Sequence, residues 1–151
     1  MKTPALMIAM ALAALCAPGA RAQTAADSAA IRQGALDYIE GWYTGDAARM
    51  GRALHPELAK RIMVTDTAGG TSWLDSMGAE KLVQGTRSGY GTRTPSGARQ
   101  MDVTILDVFR NAASVKIVAT DWIDYLHVSK ADGQWVIVNV LWELKASPGG
   151  G

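Results

Sequence analysis

The feature that most constrains this chain is a change of hydrophobic period near Arg99. Before that residue, apolar side chains recur every three or four positions; after it, they alternate. Ile31, Ala35, Tyr38, Ile39, Trp42 and Tyr43 place one apolar stripe along a helix of about four turns. Arg32, Gln33, Asp37 and Glu40 fall mostly off the stripe. Asp27 or Ser28 is the expected N-cap, and Gly45 suits the left-handed residue that closes a helix. Asp46 can cap a second, shorter helix carrying Met50 and Leu54. Pro56 ends it, because the residue before a proline avoids the helical region.

Lys60 to Asp66 reads as a short strand, Gly69-Gly70 as a turn, and Thr71 to Leu74 as a returning strand. With Gly78 as N-cap of a third helix, Met77 and Leu82 hold the two positions of a hydrophobic staple. That helix ends by Ser88 or Gly89, and Gly89 to Ala98 is a loop. Beyond Arg99, Met101, Val103, Ile105 and Phe109 alternate with their neighbours. Asn111 to Ser114 makes a turn, and one long strand is expected from Val115 to about Val128. Asp132-Gly133 turns the chain, and Trp135 to Leu144 returns it, as an antiparallel meander requires. Helices first and a meander after predict an α+β fold. A curved antiparallel sheet wraps around the long N-terminal helix in a two-layer cone, with a pocket between the layers.

The first residues read as an export signal. Lys2 supplies a positive charge, an uncharged apolar run reaches Leu15, and Ala20-Arg21-Ala22 has the small residues that signal peptidase reads. The run is shorter than the roughly 20 apolar residues of a membrane span, so no stable membrane anchor is expected. Residues 1–22 are therefore assigned as a signal peptide, 23–146 as one domain and 147–151 as a disordered tail. Cys16, the one cysteine, follows Leu15 rather than the small residue of a lipoprotein signal, and leaves with the peptide. The remaining 129 residues carry 13 basic and 14 acidic side chains, so nothing in the charge favours nucleic acid. Without disulfides, the exported chain relies on its core, for which roughly 130 residues suffice. The expected compartment is the periplasm or the exterior.

Three segments carry a resemblance to a known family. Tyr38-Ile39-Glu40-Gly41-Trp42-Tyr43, then Gly45-Asp46 and Ala53-Leu54-His55-Pro56-Glu57-Leu58, look like the opening of the "putative lumazine-binding" family. Asp124-Tyr125-Leu126-His127, Asp132-Gly133 before Trp135 and Ile137, and Asn139, Leu141 and Trp142 resemble its closing strands. That family belongs to the nuclear transport factor 2-like superfamily, with the SnoaL-like cyclases and ketosteroid isomerase. The resemblance implies a cone-shaped fold, commonly a homodimer through the sheet. It implies little about activity, because one fold hosts many functions.

The residues nominate a ligand wall. If Ala131-Asp132-Gly133 is a three-residue loop, Tyr125 faces Asn139 and His127 faces Ile137. Tyr125, His127, Asn139 and Asp121 then share the face of Trp135, and this mixed face is expected to line the pocket. The opposite face, with Trp122, Asp124, Leu126 and Trp142, is left as a dimer surface or the face covered by another element. A one-residue change of register would exchange the two faces. Trp42 and His55 are added as pocket residues, His55 alternatively as a helix cap. Arg61 beside Lys60 reads as a solvated charge or an anion partner. Two histidines without metal-ligand spacing give no metal site, and no motif calls for a cofactor.

Three function classes follow. One is an exported binding module for a small flat or apolar molecule. Another is a cofactor-free isomerase, dehydratase or cyclase, using Tyr125, His127 or an aspartate. The last is a dimeric scaffold with a filled pocket. The leader assignment has its own check: mass spectrometry of the exported protein should find Gln23 at the N-terminus, and Met1 there would refute it.

Overall fold

The computed structural model describes residues 19–66 and 68–145. The apolar run before Gly19, the tail and Thr67 lie outside them. Three helices, α1 (Gly19–Thr44), α2 (Ala47–Ala53) and α3 (Ala79–Arg87), pack on one six-stranded sheet. The strands are β1 (Leu54–Thr65), β2 (Ser72–Met77), β3 (Met101–Phe109), β4 (Ala112–Ala119), β5 (Trp122–Ala131) and β6 (Gln134–Leu144). Their order across the curved, unclosed sheet is β2-β1-β6-β5-β4-β3. Four of the five strand pairings are antiparallel as expected, but β1 runs parallel to β6. The sheet is therefore mixed. No helix among the described residues is long and apolar enough to cross a membrane.

The N-terminal stripe does what its spacing dictates. Ile31, Ala35, Tyr38, Ile39 and Tyr43 are buried against the sheet. They meet Ala113, Val115, Ile117 and Ala119 of β4, Leu126 and Val128 of β5, and Trp135, Ile137 and Val140 of β6 in one core. Gly45 takes a left-handed φ of 73°, and the Asp46 carboxylate accepts from the Arg49 amide at 2.9 Å. The start of α1 differs from expectation. It runs from Gly19, because the alanine-rich stretch before Asp27 favours helix on propensity alone. Asp27 does not cap. It accepts from Trp135 Nε1 and Lys130 Nζ, each at 2.9 Å, and so ties α1 to the far end of the β5–β6 hairpin.

Two further corrections concern turns. Leu54 opens β1 instead of continuing α2, because β1 already pairs there with Ile137 of β6. And the long strand expected from Val115 to Val128 is two antiparallel strands, β4 and β5, joined at Thr120-Asp121. That turn contains no glycine or proline. Tertiary hydrogen bonds make it instead. The Thr120 amide donates to the Tyr43 hydroxyl at 3.0 Å, and that hydroxyl donates to Thr120 Oγ1. Thr120 Oγ1 in turn donates to the Ala98 carbonyl and accepts from the Gln100 amide.

The Asp27 contacts give a pH prediction. Hydrogen bonds from Trp135 and Lys130, with the lysine charge, hold the Asp27 carboxyl below its ordinary 3.8. A lowered carboxylate adds stability that is present above the unfolded value and lost as the pH falls through the folded one. Urea midpoints for wild type and Asp27→Asn should therefore differ at pH 7 and converge below pH 3.8. Parallel curves would refute the linkage.

Candidate functional site

Between the helices and the concave face of the sheet lies a cavity of about 210 Å³. Tyr38 and Trp42 of α1, Met50 of α2 and Leu82 of α3 form its helical side. Lys60 of β1, Met77 at the end of β2, Trp122 of β5 and Trp142 of β6 complete it. Each reaches the cavity for a local reason. Met77 and Leu82 are the staple pair about the Gly78 cap of α3. Trp42 is held by close packing of the Tyr90–Thr94 segment: a Cβ on Gly91 would collide with the Trp42 carbonyl and indole. Trp122 stands edge-on to Trp42 at 6.5 Å between centroids, and tilted on Tyr43 at 5.9 Å.

One wall is charged. The strand face that β1 turns inward is Leu58, Lys60, Ile62, and the face that β5 turns inward is Asp124, Leu126, Val128. Lys60 and Asp124 interrupt two otherwise apolar rows. The β6 strand lies between them, with Lys60 opposite Val140 and Asp124 opposite Trp142. The lysine spans it: Nζ sits 4.8 Å from the Trp142 ring centroid and 2.6 Å from Asp124 Oδ1. The two side chains are 8% and 0% exposed. Nζ also donates to the Tyr38 hydroxyl at 2.7 Å, and that hydroxyl donates to Asp124 Oδ2 at 3.2 Å. Trp122 Nε1 donates to the same oxygen at 2.7 Å. The carboxylate thus has a cation and two neutral donors, as a buried charge requires.

The polar accounting leaves two donors over. An ammonium has three hydrogens, and the Lys60 group gives two of them to Tyr38 and Asp124. The third has no oxygen acceptor among the described residues. Trp142 Nε1 is buried and also without a partner among them. Burial pushes the Lys60 ammonium below its ordinary value against the opposing pull of Asp124. Burial likewise pushes the Tyr38 hydroxyl up, with Asp124 acting in the same direction.

The wall nominated from sequence faces the other way. Tyr125 is 44% exposed, and His127 is exposed beside it on the outer sheet face. Asn139 joins them there, with its Nδ2 3.3 Å from His127 Nδ1 and its Oδ1 accepting from Arg61 at 2.9 Å. The partners differ from expectation, although Tyr125, His127 and Asn139 still share one face. Asp132-Gly133 is a two-residue turn with φ of 50° and 80°, so Ala131 pairs with Gln134. A bulge then shifts the ladder, and Tyr125 meets Leu141 while His127 meets Asn139. Asp121 is exposed in the β4–β5 turn. His55 lies in a bulged stretch of β1, where its Nδ1 accepts from the Glu57 amide at 3.1 Å. It neither caps a carbonyl nor reaches the cavity. Of the nominated residues, Trp42 alone lines it. Lys60, Asp124 and Tyr38 were missed as a group, although opposite charges inside two apolar rows are a legible sign of a buried pair.

The buried pair sets an energetic expectation. Asp124→Asn leaves an uncompensated ammonium and should cost about 3–5 kcal/mol, whereas Lys60→Met with Asp124→Leu should recover much of that loss. In the single variant, burial acts on Lys60 unopposed. The unfolded chain then binds the proton that the folded chain gives up, so the deficit should shrink as pH rises toward 10. Urea titrations of the three proteins between pH 6 and 10 test both points. A deficit independent of pH would refute the assignment.

Comparison with known proteins agrees with this architecture. A search of curated proteins finds no match. A nuclear transport factor 2-like protein of unknown function from Shewanella baltica superposes with a TM-score of 0.64 at 19% identity, over 82% of this chain and 97% of that one. One from Methylobacillus flagellatus gives 0.61 at 20% identity, over 80% and 94%. A third, from Novosphingobium aromaticivorans and described as having a cystatin-like fold, gives 0.61 at 13%, over 86% and 89%. At these identities the likeness shows the fold. The model of the family described as "Putative lumazine-binding" matches residues 26–143, nearly all of the described chain, and the protein belongs to that family within the nuclear transport factor 2-like fold.

Proposed function

We propose that this protein holds a small, flat, largely apolar molecule in the cavity between its helices and its sheet. The observation that carries the reading is an apolar space walled by Tyr38, Trp42, Trp122 and Trp142. An engineered apolar cavity of about 150 Å³ takes benzene, and pockets for drug-sized ligands run from about 300 Å³. A space of about 210 Å³ therefore suits one substituted ring. Charge narrows the choice. Asp124 already neutralises Lys60, so a carboxylate entering here meets no free cation, while a neutral ring meets a lining that is almost wholly apolar. A heterocycle rich in donors and acceptors, such as the lumazine of the family's name, leaves most of its polar edge unmatched.

The wider reading keeps two parts of the sequence argument. The leader over residues 1–22 supports an exported protein of the periplasm or exterior. Leu74, Met63, Leu141 and Tyr125 expose apolar area on the outer sheet face, which supports a homodimer through the sheet.

Benzyl alcohol is a probe of fitting size, neutral and free of carbonyl. Titrated into the protein, it should change tryptophan fluorescence saturably, and benzoate should not. Met77→Trp fills the cavity and should abolish the response, at a cost in unfolding free energy of no more than about 3 kcal/mol. A response that survives Met77→Trp, or none from the wild type, overturns the reading.

A further inference from the structure

The two ends of the sheet are finished differently. At one end β3 is blunted. Its register with β4 breaks between Ile105 and Asp107, and Asp102 and Asp107 put exposed charge along it. Arg32 of α1 also donates to the Val103 carbonyl of that strand at 3.1 Å. These are devices by which an edge strand refuses a neighbour. At the other end β2 has an unbroken register with β1, holds no proline or lysine, and is exposed from Ser72 to Ser76. Its Trp73 and Leu74 are 50% and 51% exposed. We propose that β2 is a docking edge for a second copy of this chain, the two β2 strands pairing antiparallel about a two-fold axis at Trp73. This surface is the edge of the sheet, distinct from its outer face, and the inference is independent of the cavity.

The free backbone groups can be named. The Asp66 amide donates to the Thr71 carbonyl at 2.9 Å, so those residues form a hydrogen-bonded pair. Alternation along the hairpin then makes Thr65–Ser72, Met63–Leu74 and Arg61–Ser76 non-hydrogen-bonded pairs. The N–H and C=O groups of Ser72, Leu74 and Ser76 therefore point away from β1. The Ser76 amide is already used, by the Asp75 carboxylate at 2.9 Å. The amides of Ser72 and Leu74 have no partner among the described residues. Those two residues fix the register. Setting each Ser72 against the partner's Leu74 gives all four free amides an acceptor and stops short of Ser76. It also sets Trp73 directly opposite the partner's Trp73, an aromatic cross-strand pair of the kind that stabilises sheets. The one charge on the strand, Asp75, then lies about 14 Å from its copy, beyond the screening length at physiological salt. Pairing Leu74 with the partner's Leu74 instead would bring the two carboxylates to about 8 Å and set each against an indole. A two-fold pairing closes at two copies, and the blunted β3 offers no second edge on which to extend.

Trp73→Cys tests the pairing, because directly opposed residues of a non-hydrogen-bonded pair have Cα atoms about 4.5 Å apart, within disulfide reach. The full exported chain carrying Trp73→Cys is exposed to glutathione disulfide, and the disulfides are mapped by peptide mass spectrometry over time. Two Trp73→Cys chains should join at least about tenfold faster than two Gly97→Cys chains, since pairing holds the thiols at a high effective concentration. Gly97 is an exposed loop residue with nothing around it for a side chain to meet. Trp73 shares the helix side of the sheet with Met77, so association through the outer face does not join these thiols. Ser72→Pro, at the first residue of the strand, removes a free amide and none that bonds β1. Added to Trp73→Cys, it should lower the joining rate to that of Gly97→Cys while cooperative urea unfolding persists. Joining of Trp73→Cys chains no faster than of Gly97→Cys chains overturns the proposal, as does fast joining that survives Ser72→Pro. If Ser72→Pro prevents folding, the wild type decides. Its Ser72 and Leu74 amides should exchange with solvent more slowly as protein concentration rises, and exchange independent of concentration overturns the pairing.

Discussion

A lysine reaching across one strand to an aspartate on the next is the constraint around which this fold is arranged. Lys60 and Asp124 belong to strands that do not touch, and β6 lies between them. Their union needs β1 in register with β6 and β6 in register with β5, so it reports on three strands at once. Tyr38 brings α1 into the same set of hydrogen bonds, and Trp122 brings in the start of β5. Burying two charges is expensive, and such pairs seldom add net stability over an apolar replacement. The arrangement makes sense as a device that fixes geometry, since an apolar pair of equal volume would fill the same space without setting any register.

The parts of the fold legible in the sequence are those set by local chemistry. The α1 stripe, the Gly45 closure, the Asp46 cap and the Gly78 staple all depend on neighbours within one or two turns. The β3 and β6 strands were readable from alternation between clear turn residues. What could not be read depends on distant partners. The Thr120-Asp121 turn has no turn residue of its own and is made by Tyr43, Ala98 and Gln100.

That one turn decided the reading of the site. With β4 and β5 taken as a single strand, the strongest evidence for which face is inner could not be used. In β4, Val115, Ile117 and Ala119 form an unbroken apolar row against Ser114, Lys116 and Val118. Pairing β4 with β5 sets Val115 opposite Leu126 and Lys116 opposite Tyr125. The face of Tyr125 and His127 is then the outer one. A two-residue turn and a bulge moved the partners further, since each such shift rotates the ladder by one position. Residue types alone favoured the mixed face, because pockets usually mix apolar and polar side chains. Here the polar members were a charged pair hidden among apolar neighbours, and composition cannot distinguish that from a surface alternation.

The place of the last strand has a consequence for how the molecule comes into being. The strand β6 is made last and lies in the interior of the sheet, between β1 and β5. Until it arrives, β1 and β2 form a hairpin with no sheet to join, and the meander of β3 to β5 has an open side. Contacts of such wide sequence separation form slowly, because the chain between them must close first. During synthesis the two halves of the cavity wall therefore stay apart until residues 134 to 144 are free to insert. The cavity comes into existence in a single late event, because Trp142 of the last strand closes one side of it.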